Sequence, residues 1–323
     1  MISKEIEVEH LDDLFLDIYI VGYTHQGESI LCVLREKESI LFTSVIDTYK
    51  PSSRTNYVAD ILTILGNPTI DMFIWTHPDE DHTIGLTDLM ASFDSNHEAS
   101  VFIPSHLSEI AGTEALGEFS KILAWYNPTG RGVVLKTKLN EISLTENEVR
   151  TLYNLTFIEK TTLAKIHFIA HFYLPNSSRA IRKANNWKSA KTNEHSIVHS
   201  FLFNGQQYVF CGDLTKNNVF LLPDEFYSSV KFIKIPHHGS KEPNNLPGIM
   251  MSKGVAEAAS ATTIYQMGAD DPDDDVIEMY KKISSCIYST GKGTTSDFGC
   301  IKLTMDKAGR LIAHNLEGNA ELK

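Results

Sequence analysis

The chain has 323 residues, of which 42% are hydrophobic and 22% are charged, and its formal net charge is −12. This length and composition are those of a globular protein that can bury a core of its own. The acidic charge excludes a broadly basic surface for non-specific binding of duplex nucleic acid.

The N-terminus and the cysteines bear on where the protein works. The first residues are charged and lack the apolar region of a secretory signal, and no apolar run reaches the roughly 18 residues of a membrane helix. The four cysteines are far apart and form no Cys-x-x-Cys pair. We therefore expect a cytoplasmic protein with free thiols and no membrane partner.

The first third of the chain predicts strands with turns between them. Residues 14–47 contain apolar, β-rich runs, whereas residues 56–66 place apolar side chains at helical spacing and end on glycine. Residues 69–76 have the pattern of a short buried strand. A helix over 83–93 and a strand over 101–104 are expected to follow.

The remainder of the chain repeats this pattern. We expect a helix over 107–126, a strand over 163–174 and a hairpin around Asn204-Gly205. A strand over 261–268 and a helix over 276–283 precede the closing strands. Because strands dominate both halves and helices lie between them, the sequence predicts an α/β fold, an αββα sandwich. We expect one domain over residues 1–323, with an insertion around 105–190.

Four candidate metal ligands lie within six residues directly after the strand predicted over 69–76. They are His77, Asp79, Asp81 and His82. A loop leaving a strand can direct alternate side chains at one point, and imidazoles and carboxylates suit first-row divalent metals. A polar turn with surface carboxylates is the alternative, but such turns seldom place two histidines around two aspartates.

Two further polar segments follow predicted strands. Gly212-Asp213 ends the run YVFCGD, and Pro236–Ser240, which contains His237 and His238, follows the run VKFIKIP. Each segment alone is weak support for a site, since surface or core histidines are common. Their occurrence in this order after the first cluster predicts that both segments contribute to one metal site.

Taken together, these segments resemble a known family. The pattern Ser/Thr-His-Pro-Asp-x-Asp-His, Asn-x-x-Ser, Gly-Asp and Pro-His-His-Gly-Ser is that of the metallo-β-lactamase domain of the ComEC competence protein and its free-standing relatives. Here the matching segments are Thr76–His82, Asn193–Ser196, Gly212–Asp213 and Pro236–Ser240. The resemblance covers nearly the whole chain and implies the metallo-β-lactamase form of the αββα sandwich.

The resemblance also implies a site with two divalent ions. Its implied ligands are His77 and Asp79 for one ion, Asp81, His82 and His237 for the other, and Asp213 between the two. His237 is preferred to His238 because it is nearest the strand end. A third ligand of the first ion is either His195 or Asn193. Asp47 either orients a ligand or caps its strand.

Asp81 and Asp213 are the implied catalytic residues, with a water activated between the two ions. His238 and Ser240 are expected to contact substrate. The ions are expected to be manganese or zinc, with magnesium as a further candidate. Because Asp79 is a hard carboxylate where imidazole is usual in the superfamily, we expect Mn²⁺ to support more turnover than Zn²⁺.

A basic stretch lies beside the metal-site segment that begins at Asn193. Residues 177–193 contain Trp187 and no acid, and their cations are Arg179, Arg182, Lys183, Lys188 and Lys191. Cations attract phosphates and tryptophan can stack on a base, so Arg182 and Lys183 are expected to bind substrate. A solvated loop is the alternative interpretation.

The function expected from this site is metal-dependent hydrolysis. We expect a phosphodiesterase or nuclease acting on DNA, RNA or a nucleotide. One alternative is a hydrolase of a small substrate, such as a cyclic nucleotide, lactone or thioester. Another is a non-catalytic regulatory module that keeps the fold. The sequence does not identify a protein partner.

Overall fold

The computed structural model describes residues 1–89, 92–93, 99–105, 117–118, 120–121, 138–145, 147–175, 192–243, 245–293 and 295–323. Within these ranges the chain forms seventeen strands and five α-helices. The strands are β1 (Ile2–Val8), β2 (Leu14–Tyr23), β3 (Glu28–Glu36), β4 (Ser39–Ile46), β5 (Met72–Ile74), β6 (Ser100–Pro104), β7 (Lys138–Ile142), β8 (Arg150–Glu159), β9 (Lys165–Leu174), β10 (Val198–Phe203), β11 (Gln206–Phe210), β12 (Val230–Lys234), β13 (Ala258–Thr262), β14 (Ser284–Ser289), β15 (Phe298–Asp306), β16 (Leu311–Gly318) and β17 (Glu321–Leu322). The helices are α1 (Tyr57–Ile64), α2 (Leu86–Leu89), α3 (Lys216–Val219), α4 (Leu246–Ser252) and α5 (Asp274–Tyr280).

The described strands form two mixed sheets. One has nine strands in the order β1-β8-β9-β10-β11-β12-β13-β14-β17, and the other has eight in the order β16-β15-β2-β3-β4-β5-β6-β7. Strands β4, β5, β6 and β7 are parallel neighbours, as are β11, β12, β13 and β14. Each sheet therefore has a parallel part whose strands end at a common edge.

The inner core lies between the two sheets. Phe42 on β4 packs against Phe168 on β9 with ring centroids 5.2 Å apart, and Phe102 on β6 packs against Phe172 on β9 at 4.9 Å. Tilted aromatic pairs of this kind bury large apolar areas. They hold the two sheets face to face.

Helices cover the outer face of each sheet. Val45 on β4 and Leu62 on α1 belong to an apolar cluster outside the eight-stranded sheet. Ile233 on β12, Met250 on α4 and Tyr280 on α5 belong to a cluster outside the nine-stranded sheet. Helix, sheet, sheet and helix layers follow one another, so the αββα sandwich predicted from the sequence is confirmed.

Local sequence determines several element boundaries. The Asn56 side chain accepts a hydrogen bond of 3.0 Å from the Val58 amide at the start of α1, and Gly66 follows the helix with φ +86°. The helix predicted over 83–93 begins later than expected, at Leu86 in α2, because Gly85 has φ +101°, outside the right-handed helical range. Residues 90–91 of that prediction lie outside the described residues. The strand predicted over 261–268 instead occupies β13 and ends at Thr262.

The region predicted as an insertion lies only partly within the described residues. Its described strands β7, β8 and β9 belong to the two sheets. Most of the helix predicted over 107–126 lies outside the described residues, so the insertion stays a prediction. Along the described ranges, no helix has both the length and the apolar composition required to cross a bilayer.

Candidate metal centre

The segments that follow the parallel strands meet at one edge of the sandwich. The Ile197 amide donates to the Thr76 carbonyl at 2.9 Å, which joins the segment after β5 to the nine-stranded sheet. The His237 amide donates to the Gly212 carbonyl at 3.0 Å, which joins the segments after β11 and β12. The fold therefore brings together the three polar segments that the sequence predicted at strand ends.

Asp47, at the end of β4, holds His82 in one orientation. Its Oδ2 lies 2.8 Å from His82 Nδ1, and its Oδ1 accepts a hydrogen bond of 2.6 Å from the Thr76 amide. The Thr76 hydroxyl also donates to Asp47 Oδ2 at 2.5 Å. With Nδ1 occupied, Nε2 of His82 is directed towards Asp81 and Asp213. Asp47 thus orients a histidine, which was one of its two expected roles.

One set of side chains, the inner group, consists of Asp81, His82 and His238. Their ligand atoms all lie within 4.8 Å of one another, and all three side chains are buried. His238 Nε2 lies 3.1 Å from Asp81 Oδ2 and 3.4 Å from His82 Nε2. Two atoms each about 2.1 Å from one ion stand about 3.0–3.8 Å apart at angles of roughly 90–130°. The inner group therefore has the spacing of a metal site.

The loop after β12 directs its two histidines differently. His238 joins the inner group, whereas His237 Nε2 lies 3.2 Å from Asn193 Nδ2 and 3.7 Å from Asp213 Oδ2. The structure thus places His238, and not His237, beside Asp81 and His82. Both histidines have left-handed backbone conformations, φ 50° and 52°, so the loop turns tightly and sends the second imidazole inward.

A buried relay fixes the orientation of His238. Thr263 Oγ1 lies 2.8 Å from His238 Nδ1 and donates to Glu28 Oε2 at 2.8 Å. Because that hydroxyl has a single hydrogen, it accepts from the His238 Nδ1–H and leaves the Nε2 lone pair facing Asp81. Glu28 is paired at 2.5 Å with Lys234, and both side chains are buried. Burial opposes a charge on Glu28, but the attraction of Lys234 lowers its pKa.

The second set, the outer group, consists of His77, Asp79, Asn193 and His237. His77 Nε2 lies 3.5 Å from Asp79 Oδ2, and Asn193 Nδ2 lies 3.3 Å from Asp213 Oδ2. His77 Nδ1 contacts the hydroxyls of Thr76 and Ser196, which points Nε2 at the carboxylates. Asn193 therefore lies at the cluster, whereas its role as a ligand of the first ion stays a prediction. His195 is buried and is not among the described residues that line the cavity.

Asp213 lies between the two groups. Its Oδ1 is 3.3 Å from His82 Nε2 and 3.8 Å from His238 Nε2, whereas its Oδ2 is 3.7 Å from the Nε2 atoms of His77 and His237. The two oxygens of one carboxylate thus face different sets of imidazoles. In this position the carboxylate could offer one oxygen to each group.

Unsatisfied polar atoms show that the residues fit a metal. Among the described residues, the buried His77 Nε2 and Asp213 Oδ1 have no hydrogen-bond partner. Leaving such atoms unpaired in the interior costs free energy, and each exception calls for an explanation. Both atoms point into the cluster, and divalent ions would satisfy them. Asp47, His77 and His82 also lie close together, but both Asp47 oxygens already accept hydrogen bonds.

The histidines and carboxylates of the cluster favour each other's charged forms. Burial opposes the ionised forms, yet His82 and His238 lower the pKa of Asp81 to about 2, and four imidazoles hold the pKa of Asp213 well below its ordinary range. Burial likewise opposes a charge on His82, but Asp213 and Asp81 raise its pKa. The carboxylates therefore stay ionised at neutral pH and attract cations.

A cavity of about 110 Å³ opens onto the cluster. Its described lining consists of Asp79, Asp81, Asn193, Asp213, His237, His238 and Tyr265. The Tyr265 ring stacks on the His238 imidazole with centroids 5.3 Å apart. Ser240 is not part of this described lining, and its Oγ accepts from the Glu242 amide at 3.3 Å. Arg182 and Lys183 lie outside the described residues.

Sequence reasoning missed the residues that support the cluster. Glu28, Thr263 and Lys234 contribute the relay, and Tyr265 covers His238. The available signal was a lysine inside the apolar run VKFIKIP and a glutamate beside the run SILCVL. An isolated charge in a buried strand predicts a partner. Nothing in the sequence shows that these two charges pair with each other.

Fold and site together define an αββα protein with buried histidines and aspartates placed to bind metal. No family model matches the sequence, and no curated protein matches it. Among solved structures, the chain is similar to a diphosphatase from the PhnP family, with 13% identity, a TM-score of 0.44, and 90% of this chain and 98% of that chain covered. It is also similar to YhfI from Bacillus subtilis, a metallo-β-lactamase fold protein, with 10% identity, a TM-score of 0.41, and 83% and 95% covered.

Proposed function

We propose that the chain is a metal-dependent phosphodiesterase that acts on nucleic acid or a nucleotide and uses two divalent ions. The observation that carries this proposal is the position of Asp213, whose two oxygens face separate sets of imidazoles. A bridging carboxylate between two sets of ligands is the arrangement needed for two neighbouring ions.

The chain offers ligands for each ion. Asp81, His82 and His238 would hold one ion, and His77 and Asp79 would hold the other, with Asn193 and His237 beside it. Asp213 would contact both. When bound, such ions would lower the pKa of a water and offset the charge of a phosphate. The oxygen-rich ligands favour Mn²⁺ or Mg²⁺ over Zn²⁺.

The described residues prepare the site for a small anionic group. Asp47 and Thr263 occupy the Nδ1 atoms of His82 and His238, so both Nε2 atoms face the carboxylates of Asp81 and Asp213. The cavity of about 110 Å³ has room for a group of the size of a phosphate but not for a whole nucleotide. The rest of a substrate would therefore lie outside this cavity.

The choice between a polynucleotide and a smaller substrate depends on cations. No lysine or arginine is among the described residues that line the cavity. This observation supports the second candidate function, hydrolysis of a small substrate. A nuclease needs cations along the strand. The basic stretch that includes Arg182 and Lys183 would supply them, and it continues into Asn193 at the site.

The test is a panel of substrates with the protein loaded with Mn²⁺ or Zn²⁺. We expect hydrolysis of single-stranded DNA, duplex DNA or RNA, or of a cyclic nucleotide, with more turnover in Mn²⁺. The double variant Arg182→Ala/Lys183→Ala should lose more polynucleotide turnover than turnover of methyl 4-nitrophenyl phosphate, and its salt dependence should flatten.

Two results would change the proposal. If the double variant cleaves DNA and RNA as well as the parent across a salt series, a small substrate becomes the leading candidate. If the metal-loaded protein cleaves no phosphodiester but opens a lactone or thioester, the phosphodiesterase proposal is overturned.

A further inference from the structure

A second cavity lies beside the metal cavity. It has a volume of about 350 Å³, and its described lining includes Tyr23, Gln26, Tyr49, Met267 and Asp297. We call it the side pocket. None of these residues belongs to the inner or outer group, so the metal centre does not account for them.

Two segments connect the side pocket to the metal centre. Tyr49 follows Asp47 by two residues, and the intervening Thr48 amide donates to the His82 carbonyl at 3.2 Å. On the other side, Tyr265 lines the metal cavity, whereas Met267 lines the side pocket. The Gln266 amide between them donates to the His25 carbonyl at 2.6 Å. The segment 265–267 therefore lines both cavities, and Tyr49 stands two residues after the aspartate that orients His82.

Aromatic rings form a fixed wall of the side pocket. Tyr23 and Tyr49 meet edge to face with centroids 5.6 Å apart, and the Gln26 side chain donates to the Tyr49 hydroxyl at 2.9 Å. The Tyr49 ring packs directly on Gly27, where a Cβ atom would stand 2.0 Å from it. The glycine is thus required for this ring position. Met267 remains 56% exposed at the pocket.

The described polar groups of the pocket suit a neutral ligand. Asp297 contributes a carboxylate that pairs with Arg54, and the remaining polar groups include the amide of Gln26 and the hydroxyl of Thr24. Because this pairing leaves no uncompensated charge from Asp297, a neutral ring with donors and acceptors on its edge would find partners there. The exposed thioether of Met267 suits the flat face of such a ring, and the buried rings of Tyr23 and Tyr49 form an apolar wall behind it.

The volumes of the two cavities suit different parts of a nucleotide. About 350 Å³ is within the range of about 300–1,000 Å³ that is usual for ligand pockets. The metal cavity is less than half that size. We propose that the side pocket binds the base of the nucleotide whose phosphate occupies the metal cavity. This inference rests on the proposed phosphodiesterase function and names the part of the substrate that gives it affinity.

The test compares two esters with the same leaving group. Thymidine 5′-(4-nitrophenyl) phosphate and methyl 4-nitrophenyl phosphate differ only in the nucleoside. The parent protein should prefer the nucleoside ester by about tenfold in kcat/KM, mainly through KM. The double variant Gln26→Ala/Met267→Ala should lose most of this preference. Met251→Ala, at a methionine that is 53% exposed on α4, should keep it.

A binding measurement tests the side pocket independently of hydrolysis. In saturation-transfer NMR of metal-free protein with thymidine and adenosine, transfer to base protons is expected in the parent and lost in the double variant. Equal kcat/KM for the two esters in the parent overturns the inference, as does a preference that survives in the double variant. If neither ester is hydrolysed, the proposed function has failed, and the NMR result alone decides whether the side pocket binds a base. Transfer that depends on Gln26 and Met267 supports the side pocket, and any other result overturns it.

Discussion

Three residues at the metal centre have left-handed backbone conformations. They are Asp47, His237 and His238, with φ of 53°, 50° and 52°. Such a conformation costs a residue with a side chain about 1–2 kcal/mol, and it persists only where neighbouring interactions hold it. Here the Asp47 amide donates to the Ile74 carbonyl at 2.8 Å, and the His237 amide is bound to the Gly212 carbonyl. The backbone strain therefore coincides with the side chains that the site needs.

The two neighbouring histidines should contribute unequally to metal binding. His238→Ala removes an Nε2 that lies 3.1 Å from Asp81, so we expect the loss of about one ion per chain or at least about tenfold weaker binding. His237→Ala should keep both ions, because the buried His77, together with Asp79 and Asp213, remains beside the outer ion. Calorimetric titration with Mn²⁺ measures both variants. Loss of an ion in His237→Ala alone would restore the assignment made from the sequence.

The relay behind His238 should tune its affinity for metal. Thr263→Val removes the oxygen that accepts from His238 Nδ1, so we expect metal affinity to fall by about 10–100-fold while the protein stays folded. Thr304→Val is the matched control, since Thr304 is also buried and donates to a buried aspartate, Asp17, at 2.7 Å. Similar Mn²⁺ affinities for the two variants would show that Thr263 has no positioning role.

The sequence predicted the residues of the cluster but not their support. His77, Asp79, Asp81, His82 and Asp213 follow apolar strands closely, and strand ends are local features. The pairing of Glu28 with Lys234 and of Thr263 with His238 joins segments far apart in the chain, which no local pattern reveals. For the same reason, the choice between His237 and His238 required the backbone angles of the loop.

Among the elements, the hairpin of β10 and β11 could be predicted from a local sequence pattern. The Asn204-Gly205 pair predicted its turn, and both residues have positive φ, 50° and 77°, as a type I′ turn requires. The pairing of β1 with β8 was not predicted. These strands are parallel and far apart in sequence, and β1 is a mostly exposed, charged strand whose alternation is weak.

Two glycines allow a matched test of these backbone arguments. At Gly205 in the hairpin and Gly248 in α4, an added Cβ would meet none of the described atoms within 4 Å, so only the backbone conformation differs. Gly205→Ala should lower the free energy of unfolding by about 1 kcal/mol, because φ is positive. Gly248→Ala should raise it by about 0.5–1 kcal/mol, as alanine favours helix. Urea unfolding checks both, and a destabilised Gly248→Ala or a stabilised Gly205→Ala would refute the argument.

At the scale of the whole molecule, the metal centre lies where the two sheets are joined. Glu28 on β3 belongs to the eight-stranded sheet, and Lys234 on β12 belongs to the nine-stranded sheet. A buried ion pair is tolerated when further hydrogen bonds satisfy it, as Thr263 and the Ile235 carbonyl do here. The packing of the sandwich and the geometry of the cluster are therefore coupled through this pair.

The most direct test of the account is a calorimetric titration of metal-stripped protein with Mn²⁺. Because the two oxygens of Asp213 face different groups, we predict two ions bound per chain in the parent and weakened binding of both in Asp213→Asn. Asp306→Asn, at a buried aspartate held by Arg310 at the end of β15, should bind two ions like the parent. Absence of stoichiometric binding in the parent, or a loss in Asp213→Asn that affects only one of the two ions, would contradict the account.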